Sequence, residues 1–149
     1  MKPDQPASAT QSFEWPPSII ADFHANQANG CVGTKLVSQT ERVRVWEIRL
    51  PPGHRLGFHR HVLDYFWTAV TPGRARSHRD DGSTVEVSYF PGETQHAHYA
   101  AGDFKVHDLE NIGDADLVFT TVEFLDSENP PLDLPHDVKA RAGSPTMSR

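Results

Sequence analysis

The chain has 149 residues, of which 37% are hydrophobic and 23% charged, and its formal net charge is −6 at pH 7. These values fit one globular domain with enough apolar residues to form a core. Lysine and arginine form no basic stripe, so we expect no nucleic-acid partner. No uncharged apolar run approaches membrane-spanning length, so we expect no membrane partner either. A single cysteine, Cys31, excludes an intrachain disulfide, and the polar N-terminus lacks a secretory signal. Together these features predict a cytoplasmic protein.

Polar, proline-rich segments flank a central region with a different composition. Residues 1–17 are predicted to form a polar N-terminal arm, and residues 126–149 a proline-rich C-terminal tail. Residues 18–125 form the predicted domain. A short helix is expected at its start, over residues 18–25.

The central region contains short runs rich in β-branched and aromatic residues, each bounded by Gly, Pro, Asn or Asp. The clearest predicted strands cover residues 42–50, 65–71, 83–90, 104–110 and 116–125. No helical stripe competes with them. Many short strands at this spacing predict an antiparallel β-sandwich or barrel, and therefore an all-β protein.

Two His-x-His pairs are the most informative polar feature of the chain. Residues two apart on a strand share a face, so His59 and His61 lie about 7 Å apart along the backbone and point the same way. His96 and His98 repeat this pattern. By itself, a His-x-His pair is more often a partly exposed strand pair that binds no metal. If the two strands face each other across a barrel, however, all four imidazoles are candidate ligands of one transition metal ion.

The residues around the first pair follow a spaced motif. The motif is Gly, five residues, His, one residue, His, four residues, Phe, six residues, Gly, and it occupies Gly53, His59, His61, Phe66 and Gly73. This spacing resembles the first motif of the cupin superfamily at every position except Phe66, where cupins have Glu. Pro91 and His96 keep the Pro-to-His distance of the second cupin motif, which is otherwise degenerate here. The chain therefore resembles cupins over about residues 40–125.

The resemblance implies a double-stranded β-helix, or jelly-roll, cupin barrel with irregular N- and C-terminal arms. It also implies a metal near the centre of the barrel, with three ligands: His59, His61 and His96. The position of the fourth ligand falls at Phe66, or at Tyr65 if the spacing is one residue shorter, and neither residue supplies a carboxylate. We therefore predict a three-histidine centre, with His98 as the best spare ligand and tyrosinate ligation by Tyr65 as a lesser alternative.

Residues 59–71 and 106–114 also look like a bacterial group of small cupins known as β-alanine degradation proteins. This second resemblance implies a substrate among small carboxylic acids or amino-acid derivatives. A site of three neutral histidines leaves the full charge on a divalent cation, which favours an anionic substrate. Imidazole ligands do not identify the metal, and we expect a divalent transition metal such as Fe, Zn, Ni or Mn.

These features predict a metal-dependent enzyme, either dioxygenase-like or isomerase- or hydrolase-like. The alternative is a non-catalytic small-molecule binding or sensor protein. Candidate catalytic residues are Tyr65, His107 and Glu123, because each carries a group that moves protons and lies on a predicted strand. For Glu123, a structural bond to Arg44 or Arg49 on a neighbouring strand is the competing interpretation.

A homodimer is also predicted. Small cupin barrels often pair through sheet edges, and the N-terminal arm carries Phe13 and Trp15 in an otherwise polar segment. Aromatic side chains in such a segment need an apolar surface, and the surface of a partner subunit would provide one.

Overall fold

The computed structural model describes residues 13–140. Within them, one helix and nine strands follow in chain order. Their bounds are α1 Pro17–Ala25, β1 Lys35–Gln39, β2 Val43–Leu50, β3 Arg55–His61, β4 Tyr65–Ala69, β5 Gly73–His78, β6 Thr84–Tyr89, β7 Thr94–Ala97, β8 Lys105–Asn111 and β9 Leu117–Phe124. The prediction of an all-β protein is confirmed, as is the short N-terminal helix.

The strands form two antiparallel sheets whose inner faces pack together. One sheet has five strands in the order β1-β2-β9-β4-β7, and the other has four in the order β3-β8-β5-β6. At one end, the space between the sheets is filled by an apolar cluster with residues from both, including Ile48, Leu109, Leu117 and Phe119. The histidines of the candidate site lie on the inner face of the four-stranded sheet, next to this cluster.

The five strands predicted from composition all occur, with ends within two residues of the expected ones. The runs predicted over residues 42–50 and 116–125 correspond to β2 and β9, which pair along their whole length. Strand β5 was not predicted, because its Arg- and Ser-rich sequence reads as a turn or loop. It forms a strand in which Ala75 and Ser77 are buried, while Arg74 and Arg76 project outward and make ion pairs with Glu86 on β6.

The described part of the N-terminal arm folds back onto the chain's own barrel. Trp15 is buried, and its ring stacks on Phe58 of β3 with ring centroids 5.6 Å apart. Phe13 stacks on Trp15 and contacts Phe23 of α1. The arm aromatics therefore already have an apolar surface within one chain, so the expectation that they pack across a partner is corrected, and the predicted homodimer loses this support. Residues 1–12 lie outside the described part.

The described part of the C-terminal tail also packs against the barrel, at a different cluster from the N-terminal arm. Leu134 and Val138 pack against a buried cluster that includes Val32 and Trp46. Residues 141–149 of the predicted tail lie outside the described part. Among residues 13–140, no helix has both the length and the apolarity needed to cross a membrane.

Candidate metal centre

Three histidine side chains converge inside the barrel: His59, His61 and His107. Their ring centroids are separated by 5.1 Å for His59 and His61, 4.7 Å for His59 and His107, and 5.0 Å for His61 and His107. Each ring offers one nitrogen to a common point, and these nitrogens all lie within 4.8 Å of one another. The three ring centroids therefore form a nearly equilateral triangle. Three ligands on one side of a metal ion have this kind of arrangement.

The register between β3 and β8 brings the third histidine to the first two. His59 and His107 are directly opposite each other in this antiparallel pair, so their side chains share a face. His61 lies on the same face, two residues along β3. Asp108 and Glu110 on β8 project to the other face, where Asp108 bonds to Arg55 and His78. His107 therefore faces away from these two acids.

His96 and His98 do not join the cluster, which corrects their predicted convergence with His59 and His61. His96 lies on β7, opposite Phe66 of β4, and it is exposed. His98 is also exposed, and its Nδ1 lies 3.0 Å from a carboxylate oxygen of Asp64. The reason is the register of β7 with β4, because His96 lies directly opposite Phe66 and therefore shares the outward face of Phe66. His107, predicted only as a candidate catalytic residue, occupies the place expected for His96.

In His59 and in His107, hydrogen bonds occupy Nδ1 and leave Nε2 free. His59 Nδ1 lies 2.8 Å from the carbonyl oxygen of Gly57, so this nitrogen carries the proton. Ser77 donates its hydroxyl hydrogen to the carbonyl oxygen of Asp108, and its oxygen is therefore free to accept from His107 Nδ1 at 3.4 Å. In both residues the lone pair is left on Nε2, which faces the cluster.

His61 and His107 approach each other through these inward nitrogens. Their Nε2 atoms are 3.1 Å apart. Two nitrogens bound to a tetrahedral metal at 2.0–2.1 Å stand about 3.3 Å from each other, so the observed spacing is close to that of a ligand pair. The remaining nitrogen of His61, Nδ1, is buried and has no hydrogen-bond partner among the described residues.

Burial keeps all three imidazoles neutral at neutral pH. Removal from water disfavours the charged ring and lowers the pKa of His59 to about 4. The same effect lowers the pKa of His61 and of His107 well below the usual histidine value, and the neighbouring imidazoles add to it. Neutral imidazole is the form that binds a metal, so the cluster is ready for a cation without first losing protons.

The structure places Tyr65, and not Phe66, inside the barrel. The ring of Tyr65 stacks on His61 with centroids 4.2 Å apart and planes 14° apart. Phe66 projects outward, where it contacts His96 and Phe124. Burial raises the pKa of Tyr65 to about 12, which keeps its phenol neutral and leaves it a hydrogen-bond donor and acceptor. Of the two residues considered for the position of the absent Glu, only Tyr65 therefore lies beside the cluster.

Glu123 lies in the barrel but not in the histidine cavity. It is buried opposite Tyr65, and its Oε1 accepts a hydrogen bond of 2.8 Å from Trp46 Nε1. Arg44 stands opposite it on β2, whereas Arg49 pairs with Glu47 and Asp116. Burial outweighs these partners and raises the pKa of Glu123 to about 7.

The cavity at the cluster is small and mostly apolar. The space open to the centre of a water molecule measures about 60 Å³. That corresponds to on the order of five water molecules, or to a small organic acid. Its lining combines the three histidines with Tyr65 and a set of mainly apolar residues: Val32, Ile48, Trp67, Tyr89, Leu109, Phe119 and Thr121.

Comparison with solved structures identifies the architecture. A cupin domain from Bordetella pertussis Tohama I matches with a TM-score of 0.51 and 26% identity, covering 64% of this chain and 98% of that one. The chain has the cupin fold. A double-stranded β-helix protein from Klebsiella pneumoniae subsp. pneumoniae MGH 78578 also matches this cupin barrel, with a TM-score of 0.47 and 20% identity over 66% of this chain and 84% of that one. No protein-family model and no curated protein matches the chain. The predicted jelly-roll barrel is confirmed, whereas the likeness to β-alanine degradation proteins stays a prediction.

Ser77 is a polar support of the cluster that the sequence interpretation missed. The Ser77→Ala variant is expected to bind a transition metal about tenfold more weakly, because it loses the oxygen that holds His107 Nδ1. Competition with a chromophoric chelator measures this affinity. Ser88→Ala, at an exposed position of β6, is the matched control. An affinity for Ser77→Ala equal to that of the control would show that Ser77 does not orient His107.

Proposed function

We propose that this cupin is a metal-dependent enzyme that acts on a small organic acid or an amino-acid-derived substrate at the centre formed by His59, His61 and His107. The observation that carries the proposal is the convergence of three neutral imidazoles in one buried cavity. The reaction class is dioxygenase-like, or else isomerase- or hydrolase-like, and the metal belongs to the group Fe, Zn, Ni or Mn.

The chemistry of the donor set fits such a metal. Nitrogen donors of this kind suit first-row transition metals better than Mg²⁺ or Ca²⁺, which prefer oxygen. Two rings are held with Nε2 free, and the Nε2 atoms of His61 and His107 already stand 3.1 Å apart. Without a cation, one of these two nitrogens has to carry a proton to hydrogen-bond the other. Three protein ligands also leave open positions, as a catalytic site needs.

A metal at this centre supplies a Lewis acid that polarises a bound oxygen atom or, if it is redox-active, a site for oxygen chemistry. The chain's own residues then define the surroundings. The phenol of Tyr65 lies against His61 and provides a neutral hydrogen-bond donor to a group in the cavity. Trp67, Tyr89 and Phe119 pack edge to face and give one side of the cavity an apolar wall.

One observation and one resemblance support a small substrate. The cavity has room for only a few non-hydrogen atoms beyond those of the protein. The sequence likeness of residues 59–71 and 106–114 to β-alanine degradation proteins favours carboxylic and amino acids of that size. An anionic substrate is part of the proposal, because three neutral ligands leave the charge of a divalent cation uncompensated.

Dioxygen uptake with different metals tests the reaction class. Protein purified without an affinity tag is loaded with Fe²⁺ or with Zn²⁺ and screened against small keto, thiol and amino acids. Substrate-dependent uptake with Fe²⁺ alone identifies a dioxygenase, and turnover without uptake identifies an isomerase or hydrolase. His59→Ala serves as the control, because it removes a ligand. Tight ligand binding without turnover for any metal would instead favour the binding or sensor alternative.

A homodimer remains part of the proposal, and a mass measurement in solution tests it.

A further inference from the structure

Two cationic side chains stand beside the histidine cluster, on the same inner face of the four-stranded sheet. Arg79 follows β5 and forms a β-bridge with His107, and Lys105 lies opposite His61 in the pairing of β3 with β8. Residues opposite each other in an antiparallel pair share a face. One row across the sheet is therefore His59, His107 and Arg79, and the next row begins with His61 and Lys105.

Neighbouring side chains confirm the direction of these two residues. Ser77 contacts His107 on the inner face, and His78 contacts Asp108 on the outer face. Strand alternation then returns Arg79 to the inner face. Lys105 lies two residues before His107 on β8, so it also projects inward. Arg79 does not itself line the histidine cavity, but its positive charge opposes the burial that raises the pKa of Tyr65 and Tyr89, both of which do line it.

Neither cation has an ionic partner within the part of the chain that the structure describes. All ion pairs found there involve other residues. Arg79 Nε is buried and has no hydrogen-bond partner among the described residues, although a buried donor normally has one. Asp80 and Asp81 directly follow Arg79, and Asp81 interacts electrostatically with Arg79 and both acids with Lys105, but Asp81 is bonded to Ser83 and neither acid forms an ion pair with Arg79 or Lys105.

We propose that Arg79 and Lys105 form the subsite that binds a carboxylate of the substrate while another group of the same molecule faces the three histidines. A carboxylate would give Arg79 Nε the acceptor that the protein does not supply. It would also relieve the repulsion between two neighbouring cations. This inference rests on the proposed function, because it assigns the anionic part of the substrate to named residues of the same site.

Malonate and malonamide are suitable probes, because they have similar size and differ in charge. Calorimetric titration of the metal-loaded protein is expected to show malonate binding at least tenfold tighter than malonamide. Arg79→Gln and Lys105→Gln are each expected to weaken malonate binding about tenfold, and Arg79→Lys to retain most of it. The matched controls Arg74→Gln and Lys35→Gln, at exposed outer positions, should bind malonate as the wild type does.

A second titration after removal of the metal by a chelator separates this inference from the proposed function. Charge-dependent malonate binding that persists in the metal-free protein and is weakened in Arg79→Gln supports the subsite even if no metal activity is found. Three results would each overturn the subsite. Malonate binding could be undetectable, it could equal malonamide binding, or it could be unchanged in both Gln variants. Tighter binding of inorganic phosphate than of malonate would overturn its assignment to a carboxylate.

Discussion

Replacement of His107 by alanine is expected to abolish stoichiometric binding of a transition metal, whereas replacement of His96 is expected to leave it intact. His107 supplies one of three nitrogens that meet within 4.8 Å, and His96 lies exposed on an edge strand. Loss of one of three protein ligands should lower the affinity by more than the 10–100-fold effect of losing a supporting hydrogen bond. Elemental analysis of untagged protein after dialysis measures the metal content.

The two histidine variants are matched, because each removes one imidazole from a strand of the same barrel. His59→Ala serves as the positive control and should lose the metal as His107→Ala does. Circular dichroism and thermal unfolding of the metal-free proteins show whether each variant keeps the fold. Equal metal content in His96→Ala and His107→Ala would remove the basis for assigning the centre to His107.

The sequence predicted the fold more completely than the site. Spacing from Gly53 to Gly73 and the regular turn signals were sufficient for the cupin barrel, because short β-rich runs and turns are local properties. The third histidine depends on which residue of a distant strand faces His59. That register is set by the pairing of β3 with β8, which local sequence does not reveal. Part of the answer was visible in the sequence, because His107 lies on a predicted strand and must face opposite to its neighbours Val106 and Asp108.

The choice between Tyr65 and Phe66 shows the same limit. The motif spacing placed the absent Glu at Phe66, yet a shift of one residue turns a strand position to the opposite face. In the structure, Tyr65 and Trp67 face inward and Phe66 faces outward. Arg79 and Lys105 were not predicted as site residues either, because a charged residue near a strand end ordinarily faces solvent.

Glu123→Gln is expected to remove a pH dependence from the stability of the barrel. The pKa of Glu123 rises from 4.5 to about 7 on folding, so the folded state favours its protonated form. Protonated Glu123 therefore contributes to the free energy of unfolding. This contribution is fully present below pH 4.5 and is lost as the pH rises through 7. A shift of this size corresponds to about 3 kcal/mol in the free energy of unfolding. Glutamine keeps the acceptor for Trp46 Nε1 and carries no charge at any pH.

Urea unfolding of the metal-free protein between pH 4 and pH 8 measures the effect. The difference between Glu123→Gln and wild type should be small at pH 4 and should grow in favour of the variant up to pH 8. Taking this difference cancels the opposing contribution of the buried histidines, which becomes unfavourable at low pH in both proteins. Glu41→Gln, at an exposed position, is the matched control and should show no such trend. A constant difference across the range would mean that Arg44, opposite Glu123, holds the carboxylate ionised in the folded state.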